Sequence, residues 1–212
     1  MTTSRRADSS AMEAAAIRHL HDGAGCTVVA AAVEGRPVLF AFKPDSYEHL
    51  RRTEEAIGAV RSRRLLHALW ALPHQVPWPV SGLGPVDAST LESREAAGFV
   101  SVNADIFTRL YQPPGQVVAI GLRGGRLADA VRRASLFPAI FSRYAIGTRP
   151  SRGDNDALAI AAAHGIGTAL TGPTGLIAHT CAAAPHKGAP GVYRWWMAEV
   201  AYEAWLTRMS TD

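Results

Sequence analysis

An α/β fold is the class this sequence predicts, on three observations. Two apolar runs, CTVVAAAV and PVLFAF, flank a short turn containing Glu34 and Gly35 and read as a β-hairpin. Segments with helical periodicity and helix stop signals then alternate with further short strand-like runs. The chain has 212 residues, 48% apolar and 19% charged, the composition of a globular protein with a sizeable core.

Residues 1–10 are expected as a disordered polar tail, because the two arginines of MTTSRRADSSAMEAAA have no apolar export segment behind them. Met12 to Leu20 reads as an alanine-rich helix stopped by HDGAG. The hairpin follows, and Pro44 ends its second strand because proline cannot donate to a ladder. Ser46 is expected to cap a long helix from about Tyr47 to Leu66. Leu50, Ile57 and Val60 would line one face of it, with Glu48/Arg52 and Arg51/Glu55 as i,i+4 pairs. LLHALWALP either finishes that helix or holds a short buried strand at about Ala68 to Leu72; periodicity does not separate the two.

HQVPWPVSGLGPV is a loop, Ala88 to Ala97 a helix ending at Gly98, and FVSVNAD a short strand. Pro113, Pro114 and Gly115 make the best boundary. The expected organisation is therefore a tail at 1–10, an α/β domain at 11–113 and a mainly helical region at 114–212. In that last region VVAIGL is a further strand, and LADAVRRASLFPAIFSRYAI a helix broken at Pro138. RPSRGDN is a basic loop whose Asp154 caps the helix DALAIAAAHG. TALTGPTGLIAHTCAAAPHKGAPG mixes small residues and turns, and YRWWMAEVAYEAWL is an aromatic closing helix.

No run of eighteen apolar residues predicts a membrane span. Two cysteines, Cys26 and Cys181, belong to no CxxC pair and cannot staple a fold of this size, which suits a reducing cytoplasm. The net charge of +4 and pI near 9.4 suit a polyanionic partner, nucleic acid first among them. Twenty of the 22 basic residues are arginine, so Lys43 at the end of an apolar strand stands out.

The strand PVLFAFK, the helix behind it and the segments SRRLLHALWALP and SREAAGFVSVNAD resemble the PD-(D/E)xK restriction endonuclease-like superfamily over about residues 10–113. The resemblance implies a restriction endonuclease-like mixed sheet flanked by helices, with a mainly helical C-terminal extension. It puts Lys43 in the place of the family's lysine, which steadies charge on a phosphate while two carboxylates hold Mg²⁺. Here Ala41 stands where one acid is expected, and Cys26 and Thr27 where the other is. Candidate relocated acids are Glu13, Asp22, Glu34, or Asp45 and Glu48 beside the lysine, although Glu48 also reads as the i,i+4 partner of Arg52.

The function this implies is nucleic-acid binding by a catalytically degenerate nuclease fold without a cofactor, alone or in a DNA-processing or defence assembly. Lys43 is then a relic or a phosphate contact; equally, it snorkels from the end of a buried strand. A Mg²⁺-dependent nuclease with relocated acids is the enzymatic alternative. Arg61, Arg63 and Arg64, then Arg132 and Arg133, then Arg143, Arg149 and Arg152 form three groups able to track a phosphate backbone, or else solvated faces. Trp195, Trp196 and Trp205 on the closing helix either stack bases, fill a core, or dock a protein partner or second copy. GLRGGR and TGPTG match neither a P-loop nor a dinucleotide fingerprint, and the histidines lack catalytic spacing.

Overall fold

The computed structural model describes residues 25–147, 154–172, 175–180, 182–184 and 191–211. The expected tail, the helix at Met12 to Leu20, and Glu13, Asp22, Arg149 and Arg152 lie outside them. In chain order the strands and α-helices are β1 (Thr27–Val33), β2 (Arg36–Pro44), α1 (Ser46–Glu54), α2 (Arg63–Ala71), β3 (Pro77–Pro79), α3 (Pro85–Leu91), β4 (Val100–Asn103) and β5 (Ile106–Arg109). There follow β6 (Gly115–Gly124), α4 (Leu127–Ser135), β7 (Ser142–Gly147), α5 (Asp154–Ala163), β8 (Gly167–Gly172), β9 (Gly175–Thr180) and α6 (Val192–Met209). The fold is α/β, and no helix among the described residues is long and apolar enough to cross a membrane.

The chain divides into two units. One comprises residues up to Lys43, Val117–Gly188 and Ala204–Asp212; the other comprises Pro44–Gln116 and Ala189–Glu203. The expected boundary at 113/114 is therefore corrected. It fails because β6, beyond that boundary, hydrogen-bonds beside β2 in one six-stranded sheet of order β1-β2-β6-β7-β8-β9.

In that sheet β1 and β2 form the expected hairpin, in register from Thr27 opposite Phe42 to Val33 opposite Arg36. Glu34 and Gly35 both take left-handed φ, 50° and 76°, the backbone of the tight turn whose twist matches its strands. Val29, Val33, Phe40 and Phe42 are buried. Strands β6, β7 and β8 are parallel, joined through α4 and α5, and β9 returns antiparallel to β8.

Four of the six strands thus follow residue 114, so this region is not mainly helical. SRYAIG is strand rather than helix: α4 ends at Ser135, ahead of Pro138, and β7 is buried along its whole length as a central parallel strand should be. Arg143 is consumed here. Its guanidinium donates to the carbonyls of Phe137, at 2.9 Å, and of His164, just past the ends of α4 and α5.

In the other unit the expected long helix is two helices. The N-cap is Asp45, not Ser46, and its carboxylate accepts from the Glu48 amide at 2.9 Å. Helix α1 closes with paired bonds from the Ala56 amide to the Thr53 carbonyl and from the Ile57 amide to the Arg52 carbonyl, with Ala56 left-handed at φ 54°. Ser62 then caps α2, accepting from the Leu65 amide at 3.2 Å, and Ala68 to Ala71 belong to this helix, not to a strand. Strands β3, β5 and β4 form a small antiparallel sheet in that order. Leu65, Leu66, Leu69, Leu72, Phe107, Tyr111 and Trp195 share the core.

A fully buried arginine crosses that core. Arg52 donates through Nη1 and Nη2 to both oxygens of Glu199, each at 2.9 Å, and through Nε to Glu48 at 2.7 Å. Glu199 also accepts from the Val60 amide at 2.8 Å. Phe99, Tyr111 and Tyr202 surround the guanidinium, with ring centroids 5.0, 5.6 and 5.2 Å away. Burial alone would lower the Arg52 pKa. The bonds and charge of Glu199, then Glu48, outweigh it and hold the group above the ordinary arginine range.

Candidate nucleic-acid interface

Helix α2 turns Leu65, Leu66, Ala68 and Leu69 into the core, which sends Arg63, Arg64, His67 and Trp70 outward. Arg63, His67 and Trp70 follow i, i+4, i+7 spacing and so share one stripe. The N-terminal turns of α6 line the same groove with Val192, Tyr193 and Trp196, enclosing about 430 Å³. The Arg63 guanidinium lies 3.5 Å from the Trp196 ring centroid, and Tyr193 sits 5.5 Å from Trp196. Trp70 stays 39% exposed while its ring meets the buried Trp195 edge-on at 4.7 Å.

A second cavity of about 520 Å³ opens where the loop between α1 and α2 faces residues 94–99. Ile57, Val60 and Phe99 line its apolar part, with Arg61, Arg94, Glu55 and Glu95 also in its wall. Its charges balance, whereas the groove holds Arg63 and no acid among the described residues.

The structure distributes the sequence candidates unevenly. Arg61, Arg63 and Arg64 come together on the outside of one unit. Arg61 is 82% exposed and pairs with Glu203, and Arg64 donates to the Thr90 hydroxyl at 3.0 Å. Arg132, Arg133 and Arg143 belong to the other unit and have local partners. Arg132 meets Asp129 at 3.5 Å, Arg133 donates to the Arg123 carbonyl at 2.8 Å, and Arg143 is buried. The expectation that Trp195 and Trp205 offer a docking face is corrected: both are buried, and Trp196 is the member of the trio that borders open space. Sequence reasoning misses Trp70 and Tyr193, although the seven-residue step from Arg63 to Trp70 is a readable signal.

Lys43 is exposed at the end of β2. Glu34 stands at the other end of that nine-residue strand, about 30 Å away at the rise of extended chain, paired with Arg36 at 3.8 Å. Asp45 caps α1. Neither carboxylate joins the other beside the ammonium. Among the described residues no three His, Cys, Asp or Glu side chains gather closely enough to hold a metal ion.

What Lys43 does approach is Cys26. Burial raises the Cys26 thiol pKa above its ordinary value, and the positive charge of Lys43 works against that rise. With Cys181 replaced by serine, Lys43→Ala is expected to slow alkylation of Cys26 near neutral pH, because less thiolate is present. An unchanged rate would mean that the ammonium does not act on the thiol.

Comparison with family models, with curated proteins and with solved structures finds no match to this chain.

Proposed function

We propose that this chain binds nucleic acid through the arginine-bearing outer side of α2. The observation that carries the reading is the grouping of Arg63, Arg64 and His67 on the exposed side of a helix that holds no acidic residue. Guanidinium groups fixed on a rigid helix meet phosphates with little loss of freedom, and the overall charge of +4 attracts the polymer from a distance. A restriction endonuclease-like ancestry belongs to the same proposal. What supports it is the β1–β2 hairpin ending in Lys43, within a mixed sheet that α4 and α5 connect.

The proposed role is binding rather than hydrolysis. Ala41 is buried in the strand position where an acid would be needed, and Glu34 and Asp45 are committed to a turn pair and a helix cap. Fluorescence anisotropy tests the reading, with labelled single-stranded DNA, duplex DNA and RNA at two salt concentrations, with and without Mg²⁺. Affinity should fall steeply with salt. Replacing Arg63 and Arg64 together by alanine should reduce the slope of log K against log salt by about one for each phosphate that is no longer neutralised. Absence of binding to all three polymers at low salt would sink the proposal; loss of intact probe only with Mg²⁺ would establish cleavage instead.

A further inference from the structure

We infer that the groove between α2 and the start of α6 receives an unpaired nucleobase, which makes this chain a binder of single strands in preference to duplex. The inference rests on the nucleic-acid reading above and names the form of polymer. A volume of about 430 Å³ is within the range of built small-ligand sites, roughly 300–1,000 Å³. Its walls are chemically apt for a base. Trp70 presents an exposed ring, and the buried Trp195 holds it from behind at 4.7 Å. A platform fixed in this way loses little freedom when a base stacks on it. Trp196, already beneath the Arg63 guanidinium at 3.5 Å, and Tyr193 supply further aromatic surface.

Among the described residues no carboxylate lines the groove, whereas Arg63 does, so its charge favours an anionic chain over a basic or neutral apolar segment. From Arg63 to Trp70 the helix rises about 10 Å, the length of about three stacked nucleotides at 3.4 Å each. Arg64, exposed next to Arg63 at the same end of the helix, adds positive charge for the phosphates of such a strand. In a duplex each base face is already covered by its neighbours, so only an unpaired base can offer its π-face to Trp70.

The test uses the full chain and three labelled probes of one length: a mixed-sequence single strand, its duplex, and a single strand with abasic sites at its centre. Trp70→Ala should weaken single-strand binding roughly tenfold and leave the salt slope unchanged. Trp70→Phe should retain most of the affinity, and the duplex should bind weakly to all three proteins. Abasic sites should reproduce the loss in the wild type and add nothing in Trp70→Ala. Equal weakening of single strand and duplex, or an abasic strand bound as tightly as the intact one, would overturn the inference and leave phosphate binding standing. If no probe binds at low salt, the nucleic-acid reading itself falls and the base site with it.

Discussion

Arg52→Leu should lower stability by about 3–5 kcal/mol. The reason lies with the two partners left behind. Glu48 and Glu199 are each 1% exposed; without the guanidinium Glu199 loses the cation bonded to both of its buried oxygens, while Glu48 loses one arginine partner and keeps Arg51. The three aromatic rings around Arg52 would also lose a cation they enclose. Urea or thermal unfolding of the full chain measures the effect. Adding Glu199→Gln should restore part of the loss, because a neutral amide is cheaper to bury and its oxygen can still accept from the Val60 amide. An Arg52→Leu protein that unfolds at the wild-type midpoint would show that the network contributes nothing net.

Two adjacent glycines should give opposite results. A Cβ on Gly124 would stand 2.6 Å from both the Ala130 nitrogen and the Arg126 oxygen. Those are backbone atoms of the turn into α4, so no side-chain rotation relieves the clash. Gly124→Ala should cost about 3 kcal/mol, through displacement of α4 from the end of β6. Gly125→Ala meets nothing within 4 Å and should stay within about 0.5 kcal/mol of wild type. Equal denaturation midpoints for the two variants would refute this account of how strand and helix meet.

Local signals are legible in the sequence and long-range ones are not. The hairpin can be read because turn and strand patterns lie within eighteen residues, and α6 because its aromatic periodicity is unbroken. The end of α1 is hidden because alanine, not glycine, takes the left-handed closing position at 56. The buried position of β7 is hidden because a short apolar run behind Pro138 reads equally as helix. Arg52 reads as an i,i+4 partner of Glu48, which it is, but its second partner lies 147 residues away. The available signal is Glu199 itself, a carboxylate on the same helical face as Trp195, Ala198 and Tyr202. The groove is partly legible: Arg63 and Trp196 both stand out in the sequence, but nothing in the spacing shows that one lies over the other.

On the side away from β1, the neighbour of β2 in the sheet is β6, and 70 residues of chain separate them. At ribosomal speeds of about 5–20 residues per second, the first hairpin waits about 4–14 s for the strand that covers its edge. An isolated hairpin is marginal in water, and this one carries VLFAF along the waiting strand. During synthesis, nascent β2 is the segment with the longest exposure to misplaced pairing, and chaperone demand or premature aggregation should be most sensitive to changes there.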